Sequence, residues 1–380
     1  MSTARLEAAS PPGGPLAGFT VGVTADRRRD ELVALIERRG ARVVEAPTMR
    51  ILPLGDDTVL HSATERCLTG SLDYVVATTG VGWRGWMSAA EGWGTAGRLA
   101  EACGRATVIS RGPKATGAIR ASGLRETHSP ASEAIDEVLD WLLARELHGT
   151  RIAVQEHGAP LEGFAAALRE RGADVIEVPV YRWGPADDPA AVRRLVEQTV
   201  RREVHALAFT SAPAIEAFLA CAEESGRRDT VLDAMRGDVL PVCIGPICAR
   251  PLSSRGVETV WPDRGRLGSL VRVLAEELPA RSRRELATAW GPVVLQGACV
   301  TVGGDTLWLP PLPGAVLRAL ADRPGAVLSR AELLRRVWTD QQPEEHAVEA
   351  AVARLRTALG AYSGLVRTVT KRGYRLVVDV

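Results

Sequence analysis

Residues 343–360 read PEEHAVEAAVARLRTALG, and residues 361–374 read AYSGLVRTVTKRGY. Val348, Val352, Leu355 and Leu359 fall at the spacing of a single helical stripe. Pro343 suits a first helical turn, Glu344 and Glu345 favour its positive end, and Gly360 suits the stop. At about 100° per residue, His346, Ala350, Ala353 and Thr357 face away from the stripe, flanked by Arg354 and Arg356. Two β-rich runs follow, Leu365–Thr370 and Tyr374–Val378, joined by Lys371, Arg372 and Gly373. A helix with a small-residue outer face fits a DNA major groove, and a basic hairpin beside it can reach phosphate. Taken alone, the same pattern also fits a helix and hairpin with solvated arginines.

The residues upstream weigh on that choice. Val293–Gln296, Cys299–Val302 and Thr306–Leu309 read as short strands with turns at Gly297 and at Gly303-Gly304. Leu312–Arg323 reads as a helix ending at Pro324-Gly325, and Ser329 caps a second one with Glu332 at the capping-box position. LRALADRPGAVLSRAELLRRVW, AVEAAVARLRTALG and VRTVTKRGYRL then resemble, in order, the winged helix-turn-helix effector domain of OmpR/PhoB response regulators. The resemblance implies that Pro343–Leu359 is the recognition helix and Val366–Leu376 the wing, and that the partner is double-stranded DNA. It implies DNA contacts at Arg354 and Arg356, phosphate contacts at Arg367 and Thr368, and a wing tip at Lys371 and Arg372. Ala351 and Ala353 stand where the family usually has polar or basic contact residues.

The rest of the chain is an internal repeat. GFTVGVTADRRRDELVALIERRGARVVEAP from Gly18 matches GTRIAVQEHGAPLEGFAAALRERGADVIEVP from Gly149. Blocks at Leu72 and Val204, and at Ala106 and Pro241, match in the same order, offset by roughly 130 residues. Each half alternates apolar strands with amphipathic helices, which predicts a parallel sheet in an α/β layer fold. Such sheets bind ligands where their strands end. The candidates there are Thr24; Thr78 and Thr79; Arg111 and Lys114; Gln155, Glu156 and His157; Thr210 and Ser211; and Gly245. Hydroxyls, helix-start amides and cations suit an anionic ligand. Singly, each Thr or Ser before a helix also reads as an ordinary cap.

These halves resemble uroporphyrinogen-III synthase, through FTSAPAIEAF from Phe209, IGP from Ile244, SRGPKATGAIRASG from Ser110, and the paired runs ARVVEAP and ADVIEVPVYRW. The resemblance implies two similar parallel-sheet α/β domains joined by a two-stranded connector, ahead of the α+β winged helix-turn-helix domain. The expected boundaries are a loose tail at 1–17, a body at 18–278, a linker at 279–291 and the DNA-binding domain at 292–380. Within the body, 18–47 plus 182–278 would form one subdomain and 48–181 the other. The family closes a linear tetrapyrrole without a cofactor, so an anionic tetrapyrrole is the candidate ligand and Tyr181 the candidate catalytic residue. Ile247-Cys248-Ala249 stands where the family usually starts a helix with a hydroxyl residue. Trp83, Trp86 and Trp93 follow Thr79 closely, as core residues or as a wall of the cleft.

The chain has 380 residues, too many for one ordinary core, and a net charge of +1. From Arg281 onward, 14 Lys and Arg stand against 9 Asp and Glu, a balance of +5 that leaves the remainder at −4. A basic tail domain on a mildly acidic body suits one nucleic-acid module and one of another kind. Six cysteines without a CxxC pair argue against a metal site; Cys243 and Cys248 read as buried thiols. No apolar run of spanning length is present, so the expected location is the cytoplasm with no membrane partner. End to end, the architecture resembles actinobacterial nitrate/nitrite-assimilation regulators. That resemblance implies a partner, the nitrogen-response regulator of the same OmpR family, and leaves a synthase with a regulatory tail as the other reading.

Overall fold

The computed structural model describes residues 13–54, 57–338, 344 and 346–379. Strand β1 (Thr20–Val23) and strand β2 (Arg42–Glu45) pair in parallel, and β3 (Met49–Pro53) then leaves their sheet. Strands β4 (Tyr74–Ala77), β5 (Thr107–Ser110), β6 (Arg151–Gln155) and β7 (Asp174–Val178) make a parallel sheet in the order β5-β4-β6-β7. Strand β8 (Tyr181–Pro185) runs antiparallel to β3, with Tyr181 opposite Pro53 and Pro185 opposite Met49. Strands β9 (Ala206–Phe209) and β10 (Leu240–Cys243) complete the first sheet as β10-β9-β1-β2, again parallel. The chain divides into two compact units, with Met49–Pro185 as the second and the remainder as the first.

Parallel strands covered on both faces need unbroken apolar runs. Strand β9, ALAF, is buried at all four positions, and so is β10, LPVC. The repeat seen in the sequence is therefore a repeat of βα units, with β2 and β7 each leading instead into a connector strand. Thr79 caps the helix Gly80–Gly92 by accepting from Gly82 N at 3.1 Å. Ser211 caps Ala212–Glu224, accepting from Ala214 N at 3.4 Å, with Pro213 in its first turn.

Two expectations about segment ends are corrected. The segment 279–291 is not a linker: the helix Leu267–Ser282 runs into it, and β11 (Arg284–Thr288) fills most of the rest. With β12 (Gly291–Gln296), β13 (Cys299–Val302) and β14 (Asp305–Trp308), β11 builds an antiparallel meander in the order β11-β12-β13-β14. Residues 13–17 are not loose either. Leu16 and Ala17 are buried, and Leu16 N donates to Arg39 O at 2.8 Å. Residues 1–12 lie outside the described residues.

After the meander come the helices Pro311–Ala321, Arg330–Val337 and His346–Leu359, then β15 (Val366–Val369) and β16 (Gly373–Leu376) as a hairpin. Ser329 caps the middle helix, accepting from Glu332 N at 3.1 Å, at the capping-box position. Pro343 and Glu345, expected at the start of the third helix, lie outside the described residues. The core of this domain joins Val293, Val300, Leu317, Leu320, Val352 and Leu355. Among the described residues, no helix is long and apolar enough to cross a membrane.

Candidate nucleic-acid interface and candidate ligand sites

The helix His346–Leu359 buries Val348, Ala351, Val352, Leu355 and Leu359. Ala351 is thus corrected from a groove position to a core position: it lies three residues after Val348 and four before Leu355, on the same side of the helix. His346, Ala350, Ala353, Arg354 and Thr357 are exposed together on the other side. Arg356, beside that row, is half-buried and bonded to the hairpin. Its Nη2 donates to Val366 O and to Thr368 Oγ1, both at 2.8 Å, and its Nε to Val366 O at 3.1 Å. Those bonds tie the hairpin to the helix.

Arg367, Thr368, Lys371 and Arg372 are exposed on the hairpin, and Lys371 takes a left-handed φ of 62° at its tip. The hairpin is anchored close to its turn, where Leu328 N donates to Tyr374 O at 2.8 Å and Tyr374 N to Leu328 O at 2.9 Å. Glu349 faces outward beside the groove-facing row, but Arg330 lies 2.8 Å from its carboxylate. That pair offsets the repulsion of phosphate by Glu349. Sequence reading missed Arg330, because its partner is nineteen residues away on a different helix.

The second unit gathers a polar cluster where β4, β5 and β6 end. Gln155 is fully buried, and its Oε1 accepts from Thr78 N at 3.2 Å and from Thr79 N at 3.1 Å. Thr78 Oγ1 donates to Gln155 O at 2.8 Å. Thr78 and Gln155 are therefore the floor of this site. Thr79 Oγ1 lies 3.3 Å from the Tyr181 hydroxyl, so the candidate catalytic residue does meet the candidate helix start. A Cβ on Gly80 would fall 2.2 Å from Lys114 O, so the helices Gly80–Gly92 and Pro113–Ala121 begin side by side. Two adjoining helix N-termini favour an anion.

Arg111 sits among these groups. Burial lowers its pKa, opposed by Tyr181 and Glu133. Burial, and then Arg111, push the His157 imidazole down to about 4, and its buried Nδ1 has no partner among the described residues. The ring packs edge-on to Trp183, with centroids 5.6 Å apart. Glu133, which no motif marked, belongs to the cluster through its effect on Arg111.

Burial, then the like charge of Glu177, push the Glu156 carboxyl up to about 6. The folded chain holds this proton more tightly than the unfolded chain does. Ionising Glu156 therefore costs stability, which falls as pH rises from the ordinary carboxylate range through about 6. Glu156→Gln should recover about 1–2 kcal/mol near neutral pH and flatten the melting temperature between about pH 5 and 8. An unchanged pH profile would remove Glu156 as the cause.

The first unit uses its candidates differently. Thr24 is buried, and its Oγ1 donates to Ala208 O at 3.1 Å. Ser211 is the helix cap already described, Thr210 beside it is half-buried, and Gly245 starts the helix Pro246–Ser253 in an extended conformation. Cys248 is buried and its Sγ donates to Phe209 O at 3.5 Å. Cys243 is also buried, and the hydrogen bond with Cys248, with burial, holds its thiol well above the usual range.

The tryptophans resolve in favour of core packing. Trp83 and Trp86 are fully buried, donating to Ser122 Oγ at 2.8 Å and Thr64 Oγ1 at 2.9 Å. Trp93 is half-buried against His61.

Residues 30–272 match the family described as uroporphyrinogen-III synthase HemD. The chain belongs to that family. A solved mutant uroporphyrinogen III synthase from the extremely thermophilic bacterium Thermus thermophilus is 28% identical, with a TM-score of 0.59, over 69% of this chain and 99% of that one. The uncharacterized protein YjjA of Bacillus subtilis is 25% identical over 70% of this chain and 97% of its own. Beyond the HemD-like body, residues 304–376 match the C-terminal domain of transcriptional regulatory proteins. The transcriptional regulatory protein AfsQ1 of Streptomyces coelicolor is 30% identical over 64% of this chain and 94% of its own. A HemD-like body thus carries an OmpR-type winged-helix domain, and such a domain implies binding to double-stranded DNA.

Proposed function

We propose that this protein is a DNA-binding transcriptional regulator of nitrogen or nitrite assimilation whose HemD-like body senses a ligand or docks a partner. In this reading it acts with a nitrogen-response regulator of the OmpR family, and an anionic tetrapyrrole is the candidate ligand of the body. The observation that carries the DNA-binding part is the exposed row His346, Ala350, Ala353, Arg354 and Thr357, opposite a fully buried stripe. Arg354 is the long cation on that row, and a bidentate base contact is worth about 1–3 kcal/mol of discrimination. Arg367, Thr368, Lys371 and Arg372 add sequence-independent attraction from the wing. The body's part is supported by Arg111 beside two helix starts, with Lys114 on one of them.

Mobility shifts test the reading, with and without the partner regulator. Arg354→Ala should relax sequence choice by about 5- to 100-fold at one base position. Arg372→Ala should weaken all sequences and reduce the salt slope by about 0.9. With alanines on the groove face, the protein alone should bind modestly and gain affinity from a neighbour on tandem half-sites. Tight binding that the partner leaves unchanged would overturn the joint action. Saturable binding of uroporphyrinogen that Arg111→Ala and Lys114→Ala both weaken, most at low salt, would support the ligand. No saturable binding would leave docking as the body's role.

A second reading, an active uroporphyrinogen-III synthase with a regulatory domain, is favoured by one observation, the 3.3 Å approach of Thr79 Oγ1 to the Tyr181 hydroxyl.

A further inference from the structure

The first unit joins part of the HemD-like body to the DNA-binding domain through a backbone contact. Gly18 and Gly297 meet there with φ values of 85° and 59°. A Cβ on Gly18 would fall 2.3 Å from Gln296 O, and one on Gly297 would fall 2.2 Å from Gly18 O. Ala298 N donates to Gly18 O at 2.8 Å. Gln296 Nε2 donates to Pro15 O at 3.2 Å and to Ala17 O at 2.9 Å. Backbone packed this tightly leaves the two parts little freedom to separate.

Beside this joint lies a cavity of about 750 Å³. That volume suits a small metabolite. The body contributes Arg42, Arg201 and His205 to its wall, and the DNA-binding domain contributes Trp308, Arg318 and Trp338. Five arginines in all line it, against two glutamates. Glu197 lies 3.8 Å from Arg201 and 3.5 Å from Arg227, so the lining keeps a positive excess.

Two of its groups have hydrogen-bonding capacity that the fold does not use. His205 Nδ1 accepts from Thr20 N at 3.0 Å. Burial, then the charge of Arg318, push the ring down to about 3, so it is neutral. A neutral imidazole that accepts at Nδ1 carries its proton on Nε2. That Nε2 is buried and has no partner among the described residues. A buried donor without an acceptor is costly, and native folds seldom leave one. Arg318 donates from Nη1 to Gly297 O at 3.1 Å, which occupies one of a guanidinium's five N–H groups. Asp238, one of the acids in its field, pairs with Arg202 at 3.4 Å. The cavity thus offers donors and positive charge beside indole and leucine surface.

We propose that this cavity is an effector site for a small organic anion, a carboxylate or a phosphate on an apolar body. The anionic head meets Arg318, with His205 in the wall beside it, and the apolar part lies against Trp308 and Trp338. Arg318 belongs to the helix Pro311–Ala321, which packs against the recognition helix His346–Leu359. Occupancy therefore acts one helix away from the groove-facing row, and it biases DNA affinity. The site is distinct from the cluster around Arg111 and does not depend on tetrapyrrole binding there.

Calorimetric titration of the full chain with benzoate, phenyl phosphate and benzyl alcohol tests this. One or both anions should bind saturably, which tells carboxylate from phosphate, and the neutral alcohol should bind at least about tenfold more weakly. Arg318→Met should cost about tenfold or more, and Arg42→Ser about threefold. Arg42 is exposed, so its variant keeps the test decisive should Arg318→Met fail to fold. Saturating anion should move the DNA mobility-shift midpoint at least about fivefold. Equal binding of the alcohol, affinities unchanged in the folded variants, or an unmoved DNA midpoint would overturn the proposal.

Discussion

Gly373→Ala should dislodge the wing and reduce DNA affinity by more than about tenfold. Gly373 has a φ of 133°, and a Cβ there would fall 1.9 Å from Leu328 O. The obstructing atom is backbone, and it cannot yield easily because Leu328 exchanges both hydrogen bonds with Tyr374. Relief requires breaking that pair, which also disturbs the packing of the Arg330 and Arg356 guanidiniums, each 6.0 Å from the Tyr374 ring. Strain of this kind, with two lost bonds, costs about 3 kcal/mol or more. Hydrogen exchange should show lost protection over 366–376, while β4 in the other unit keeps its own. A variant with wild-type exchange and wild-type DNA affinity would show that the hairpin is not held this way.

The recognition helix was legible because its core stripe is made of Val and Leu at helical spacing. Ala351 was misread for a physical reason. Alanine is at home on both faces of a helix, so a single alanine between stripe and groove carries no sign of which it joins. Strand β11 escaped because it is an edge strand, RELAT, exposed at three of its five positions. Its backbone pairing with β12 leaves little hydrophobic pattern to read. Residues 13–17 looked like a loose Pro- and Gly-rich tail because what holds them, Gln296, lies 279 to 281 residues away in the chain.

The site residues divide in the same way. Residue types placed Thr78, Thr79, Arg111, Gln155 and His157 at strand ends, and the fold puts them there. Sequence could not say which were already spent. Gln155 and Thr78 satisfy one another, whereas His157 Nδ1 is left without a partner among the described residues. His205 gave no sequence signal at all. Its importance comes from the alignment of β1 with β9, which sets Thr20 N against Nδ1, leaves Nε2 without a partner among the described residues and puts the residue in a cavity wall.

Incubated with hydroxymethylbilane, the protein should form no type III product above the spontaneous type I product. The reason is how the donors of the HemD-like body are used. In the first unit, Thr24 Oγ1 is spent on Ala208 O and Thr48 Oγ1 on Ala214 O, at 3.1 and 2.9 Å. Where the family resemblance implies a hydroxyl at a helix start, Cys248 is buried and donates to Phe209 O at 3.5 Å. A thiol is also the weaker donor. In the second unit, the Thr78 and Thr79 amides, the first at that strand end, are taken by Gln155 Oε1. Arg111 and the Thr79–Tyr181 hydroxyl pair can still hold an anion, but orienting a tetrapyrrole for ring inversion needs many fixed donors acting together. Binding without turnover is the expected balance. Type III product at about 1 s⁻¹ or faster, or growth restored to cells lacking the synthase, would overturn it. In that event Tyr181→Phe should remove most of the activity, because its hydroxyl is the one placed against Thr79. A Tyr181→Phe variant as active as the wild type would move the chemistry elsewhere in the body.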